Sequence, residues 1–337
     1  NLQAPEEILL DVDQMAEGKA YYSAGGFNIS PDNSKLIYGV DDISRRQYKL
    51  FLKDLNTGKT TDLGIKNVES ETVFAADNKT IFYVAKNDVT LLSEKIKRHT
   101  LGTDASKDAT VYEEKDKSNY IGVIKSKNQK YILIGSSATT SSEFSYIQAD
   151  QPNETFKIFQ PRMKDVIYDI YPLEDKFLVH TNKDALNFKV METPLNKTSV
   201  ENWKEMIPHR KEVLITGIDE FKNYIVFKER QNGLTQLSVL DKKTGKKEFL
   251  KFDEPAYLIR VPDNPEYNSD NFRFGYTSLI TPYSQYEQNL ATGDRKLLKQ
   301  QEIIGGYDKN QYVAERIFAT AKDGTKIPMS IVYKKGF

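Results

Sequence analysis

Six times along these 337 residues a polar turn is followed by a short burst of aromatic and β-branched residues. The bursts begin at Leu36, Ile81, Tyr131, Phe177, Tyr224 and Phe272, at spacings of 45, 50, 46, 47 and 48 residues. Such a repeat constrains the fold more tightly than any single element, because each unit must bury its apolar face against its neighbours. A period in the forties built only from strand-like segments predicts an all-β chain, a β-propeller of four-stranded blades.

Each repeat reads as two hairpins. The first turns at segments such as Ser30-Pro31-Asp32-Asn33 and Ala76-Asp77-Asn78, with the Pro, Asp and Asn that a type I turn favours, and returns as the burst. The second alternates apolar and polar residues, as in Tyr48–Leu55, Gln236–Leu240 and Tyr286–Leu290, the pattern of half-exposed strands. Its corners repeat Thr-Gly, at Thr57-Gly58, Thr244-Gly245 and Thr292-Gly293, where a residue tolerant of positive φ is needed. Six such units fill residues 21–304. Residues 1–20 contain one strand-like piece, Glu7–Asp11, and residues 305–337 a hairpin outside the period, Glu315–Thr320 and Ile327–Tyr333 around Lys322-Asp323-Gly324. The helical candidate is Ser199–Ile207, with Trp203, Met206 and Ile207 on one face.

Composition removes several function classes. Lys plus Arg and Asp plus Glu both number 48, so no basic excess exists to neutralise a phosphate backbone, and no nucleic-acid partner is expected. With no cysteine there is no disulfide, zinc-thiolate site or cysteine nucleophile. That fits a reducing compartment, and the expected location is cytoplasmic, with the periplasm as the other reading. Residues 1–5 have neither the basic start nor the apolar core of a signal peptide. No apolar run approaches the ~18 residues that span a bilayer, so no membrane partner is expected.

The residues that carry chemistry elsewhere do not assemble here. No Gly-x-Ser-x-Gly elbow occurs, and Ser136-Ser137 leads into a polar loop. His99, His180 and His209 fall in separate repeats, with no metal-ligand spacing. The acidic stretches Asp263–Glu266 and Asn268–Asn271 lack the glycine and closing glutamate of a calcium loop and read as turns. No metal, cofactor or catalytic residue is expected in the chain.

Several stretches go beyond a generic propeller. His99-Thr100-Leu101-Gly102-Thr103 through Asp108, with Val111-Tyr112-Glu113-Glu114, resembles a segment of the prolyl oligopeptidase family. Ser44-Arg45-Arg46-Gln47-Tyr48, Ser137–Ser141, Glu229–Thr235 and Tyr276–Pro282 resemble its oligopeptidase B (protease II) branch, and Lys322–Met329 resembles the start of that family's peptidase domain. The resemblance runs in order along essentially the whole chain. It implies a seven-bladed propeller, of which six repeats are counted here, set over an α/β-hydrolase domain that carries a Ser, Asp and His triad. Residues 1–20 would then be the remnant of a first blade, with Glu7–Asp11 its last strand, and 305–337 the linker and first two strands of the peptidase domain. The propeller would admit short peptides and exclude folded proteins, with cleavage after Arg or Lys in the oligopeptidase B branch and after Pro in the prolyl branch. The chain itself would be inactive. Its partners would be its own hydrolase domain and short peptides. The resemblance also implies charged latch residues between the domains, and Glu69, Arg45 and Arg46 are the candidates.

A second reading is a stand-alone interaction propeller that offers its rim to a protein partner. Such a chain should end on a closed ring or polar cap, whereas this one ends on the apolar run from Ile327 to Tyr333. An elbow serine encoded downstream of Phe337 favours the peptidase, and a stop codon the scaffold. Unpaired strand edges at both ends predict self-association or disorder at 1–20 and 305–337.

Overall fold

The structure, a computed structural model, describes residues 4–336. Twenty-five strands account for nearly all of its regular structure. They form two compact units, Asn1–Pro172 with Thr198–Glu201 (unit 1), and Leu173–Lys197 with Asn202–Phe337 (unit 2).

In unit 1 the strands are β1 (Ser23–Ile29), β2 (Lys35–Asp41), β3 (Tyr48–Asp54), β4 (Thr60–Phe74), β5 (Thr80–Lys86), β6 (Ser93–Thr100) and β7 (Ala109–Glu113), paired in that order in one antiparallel sheet. This is two blades joined through one long strand. The first part of β4 pairs with β3, from Lys53↔Thr60 to Tyr48↔Val68, and its end pairs with β5, from Thr72↔Tyr83 to Phe74↔Ile81. A third blade follows in β8 (Tyr120–Lys125), β9 (Tyr131–Ser137), β10 (Ser142–Gln148) and β11 (Lys157–Gln160), and β12 (Tyr168–Pro172) ends the unit.

Unit 2 opens with β13 (Lys176–Thr181), β14 (Lys189–Pro194) and β15 (Lys204–Ile207), paired in that order. Two four-stranded sheets follow: β16 (Val213–Glu220), β17 (Tyr224–Gln231), β18 (Leu234–Asp241) and β19 (Lys247–Phe249), then β20 (Tyr257–Arg260), β21 (Asn271–Ser278), β22 (Ser284–Asn289) and β23 (Arg295–Gln300). A separate hairpin, β24 (Tyr312–Thr320) with β25 (Lys326–Lys334), stands where the sequence places it, outside the period.

All six bursts become the second strand of their run of four: β2, β5, β9, β13, β17 and β21. These strands are buried on both faces, which is why they read as apolar runs rather than alternations. Phe82, Phe177, Phe227 and Phe272 are fully enclosed, each contributing about 1.5–3 kcal/mol of burial. The Thr-Gly corners also form as their sequence predicts. Asp54, Asp241 and Asn289 each accept two following backbone N–H groups, and Gly58, Gly245 and Gly293 take φ of 74°, 72° and 82°.

Two local expectations fail. Glu7–Asp11 is not a strand; Asp11 instead caps the five-residue helix α1 (Val12–Ala16), accepting Gln14 N–H at 2.9 Å. Leu10 and Met15 pack on Leu36, Tyr38 and Val40, and Lys53 Nζ donates to Leu9 O at 2.5 Å. The segment is therefore held by side chains and not by a ladder. Ser199–Ile207 is not a helix either. A single turn of 3₁₀ helix at Val200–Asn202 gives way to β15, whose pairing with β14 (Glu192↔Lys204, Val190↔Ile207) supplies the backbone partners that a helix would have offered. Among the described residues no helix is long and apolar enough to cross a membrane.

Candidate functional site

The site begins where β4 passes from one blade to the next. Asn67 breaks the strand with φ 55°, a conformation Asn tolerates, and its side chain ties two loops together. Its Oδ1 accepts from Gln47 Nε2 at 3.0 Å, and its Nδ2 donates to Asp88 Oδ1 at 2.6 Å. Beyond it, Ser70 crosses tightly over β1 and β2. A Cβ on Gly26 would lie 2.0 Å from Ser70 O, and one on Gly39 would lie 2.9 Å from Ser70 Cα. Only glycine admits a strand this close.

Glu69 sits on this crossing. Its Oε1 accepts from Ser93 Oγ at 2.6 Å, and its Oε2 lies 3.1 Å from Lys86 Nζ. Lys86 is nearly buried, its side chain 5 % exposed against 33 % for Glu69, and its ammonium also donates to the carbonyl of Arg46. The arginine loop is fixed from beneath by Asp41, which is 1 % exposed and accepts from Ile43 N–H at 3.0 Å and Arg46 N–H at 2.7 Å. Ser44 and Arg46 take φ of 61° and 53° to make that wrap. Among the described residues, the Arg45 and Arg46 guanidiniums and the Glu71 carboxylate have no hydrogen bond or ion pair, so their charge is available to a partner.

Arg45, Arg46 and Glu69, read as separate sequence positions, thus line one cleft of about 610 Å³ together with Lys86, Glu94 and Tyr120. Its far wall holds Glu114, which accepts from Ser136 Oγ at 2.5 Å, Tyr112 OH at 3.0 Å and Asp116 N–H at 2.9 Å. Burial pushes the Glu114 carboxyl up, but these hydrogen bonds, led by Ser136, outweigh it and leave it below the usual glutamate value. Arg162 locks the same serine loop, donating to Ser136 O and Oγ and to Ser141 O and Oγ at 2.7–3.1 Å. Sequence reasoning missed Lys86, Ser93 and Asn67. Asn67, directly before Val68-Glu69, was the one with a signal, since an Asn inside a strand pattern marks a backbone break.

Two of the three histidines serve the framework. His99 Nδ1 lies 2.8 Å from Asp108 Oδ1, and His180 Nε2 lies 3.0 Å from Ile215 O with its ring stacked on Phe188. Among the described residues no group of His, Cys, Asp or Glu could hold a metal ion. The cleft therefore offers charge and shape for binding.

A family model described as the prolyl oligopeptidase N-terminal β-propeller domain matches residues 1–301. The chain is 42% identical over 334 residues to dipeptidyl aminopeptidase BI of Pseudoxanthomonas mexicana, covering 98% of this chain and 46% of that protein. It is 31% identical over 335 residues to protease 2 of Moraxella lacunata, covering 99% and 48%. Oligopeptidase B from Leishmania major superposes with a TM-score of 0.85 at 28% identity, over 98% of this chain and 48% of that one. The chain spans about half the length of these relatives.

Proposed function

Because the chain belongs to the prolyl oligopeptidase family, matching its N-terminal β-propeller domain, we propose that it is the substrate-gating lid of a serine oligopeptidase. The observation that carries this is the match of residues 1–301 to the family's N-terminal propeller domain, with 98% of the chain aligned to 46% of the Pseudoxanthomonas protein at 42% identity. Gating is steric: a propeller over a catalytic centre admits chains that can thread past it and turns away folded ones. The substrates are short peptides, cut after Arg or Lys, as supported by the 31% identity to a protein named protease 2 and the fold shared with an oligopeptidase B. The triad lies in a hydrolase domain outside these residues, so the 337-residue chain alone turns over nothing.

The cleft supplies the latch. Arg45 and Arg46 offer free guanidiniums to carboxylates of the hydrolase domain, and Glu69, already engaged with Lys86 and Ser93, holds the arginine loop in place and completes the charged rim. Exposed pairs of this kind contribute up to about 1 kcal/mol each, enough to bias an open–closed equilibrium and too little to freeze it.

A second substrate reading rests on the name of the 42% relative: release of amino-terminal dipeptides rather than cleavage within a peptide. Full-length protein assayed on Arg, Lys and Pro fluorogenic peptides, with free and blocked amino termini, separates these. Turnover of blocked Arg and Lys peptides is the expected result, a strict need for a free terminus selects the dipeptidase, and preference for Pro removes the basic-residue reading. Serine-dependent hydrolysis by the 337-residue chain alone would sink the lid assignment. In the full-length protein, Arg45→Ala with Arg46→Ala should raise cleavage of long peptides relative to short ones.

A further inference from the structure

We propose that the chain contains a two-point catch that seats the terminal hairpin β24–β25 on two turns of unit 2, with Gly305–Gly306 as its pivot. Both glycines take left-handed φ, 92° and 86°, and a Cβ on either would meet nothing within 4 Å, so no packing restrains the pivot. Directly after it, Tyr307 OH donates to Ile280 O at 2.9 Å, and the Tyr307 ring stacks on Tyr312, the first residue of β24, with centroids 5.5 Å apart.

The second point lies further along β24. Arg316 Nη2 donates to the carbonyl of Asn232, at the tight turn between β17 and β18 where Asn232 and Gly233 have φ of 50° and 75°. A Cβ on Gly233 would stand 3.4 Å from Arg316 Nη2 and 3.5 Å from Pro328 Cγ of β25, so both strands of the hairpin rest on this turn. The two seats fall inside Glu229–Thr235 and Tyr276–Pro282, distinctive segments that the charged cleft does not use.

Among the described residues the hairpin is held at these points and not by a core. Every residue of β25 is exposed, as are Ile317 and Phe318 of β24. Among the described residues, the hairpin's side-chain hydrogen bonds to those two turns are one charge-assisted and one neutral, both solvent-accessible, and such bonds open and close far more readily than buried packing does. The catch gives the chain a defined direction as it leaves β23, one that it can abandon at low cost. This is independent of the cleft and of the latch assigned to it.

Hydrogen exchange on the 337-residue chain tests the catch, because a two-stranded hairpin without support is marginal in water. In the double variant Arg316→Ala with Tyr307→Phe, exchange across 307–336 should quicken about tenfold while β16–β23 keep their protection, and Arg316→Lys alone should retain most of the wild-type rates. Wild-type rates throughout 307–336 in the double variant would overturn the proposal. Equal acceleration in β16–β23 would overturn it too, showing general loosening and no catch. Loss of protection in Arg316→Lys as large as in the double variant counts against it in the same way.

Discussion

Lys86 Nζ lies 3.1 Å from Glu69 Oε2, and the ammonium is almost wholly enclosed while the carboxylate keeps a third of its exposure. The ammonium's other partner is the Arg46 carbonyl, so this one lysine joins the blade crossing to the arginine loop. Glu69→Ala leaves the enclosed charge with a single acceptor. A loss of about 1–2 kcal/mol is expected in urea unfolding, less than for a fully buried pair because Glu69 is partly hydrated. An unchanged midpoint would show that Glu69 does nothing within the propeller.

Glu229 is fully buried, with Oε1 2.6 Å from Lys247 Nζ and 3.1 Å from Ser238 Oγ, and Oε2 3.0 Å from Arg210 Nη2. Burial raises its carboxyl, but Arg210 and Lys247 together hold it below the ordinary value. A folded pKa lower than the unfolded one gives stability that is present above about pH 4.5 and lost as pH falls through the folded value. Glu229→Gln should therefore be less stable at neutral pH by about 2–3 kcal/mol and show a flatter acid limb. Parallel acid limbs for the two proteins would contradict the assignment.

Gly26 and Gly58 both have positive φ, 67° and 74°, yet they should answer differently to alanine. At Gly58 a Cβ meets nothing within 4 Å, and Gly58→Ala should cost about 1–2 kcal/mol of backbone strain. At Gly26 the Cβ would lie 2.0 Å from Ser70 O, so β4 must move, and Gly26→Ala should cost about 4 kcal/mol or more. Equal costs, read from denaturant midpoints, would mean that the crossing is looser than described.

Asp108 links two blade strands. Its Oδ1 pairs with His99 Nδ1 at 2.8 Å, and its Oδ2 accepts from Tyr83 OH at 2.9 Å, with the His99 and Asp108 side chains 1 % and 2 % exposed. Asp108→Ala strands two buried polar groups and should cost about 3–5 kcal/mol. Burial first, and then the Asp108 charge, pushes the Tyr83 hydroxyl well above the ordinary tyrosine value. The sign is that of a raised pKa: the contribution is complete below about pH 10 and is lost as pH climbs toward the folded value. Tyr83→Phe should accordingly soften alkaline unfolding, and an alkaline limb identical to wild type would refute this.

The repeat was legible because it is written in local chemistry. A strand buried on both faces must be apolar along its length, as Ile81–Val84 and Tyr224–Phe227 are, and a Thr-Gly corner needs its positive φ wherever it occurs. The failures were local too. Glu7–Asp11 has the composition of a strand but no partner to ladder with, so Asp11 acts as a helix cap. Trp203, Met206 and Ile207 match a helical face by spacing alone, and pairing with β14 overrode it.

The sequence alone determined the fold class, the six second strands, their turns and the terminal hairpin, since each depends on residues within a few positions of one another. It also named Glu69, Arg45 and Arg46 one by one. Only the tertiary structure decided that they share a cleft, that Glu69 is already engaged by Lys86 and Ser93, and that the two arginines are free. Those facts join residues 17 to 40 positions apart. Contacts at such separations are set by strand register and by the close crossing of β4 over Gly26 and Gly39, which no local pattern encodes.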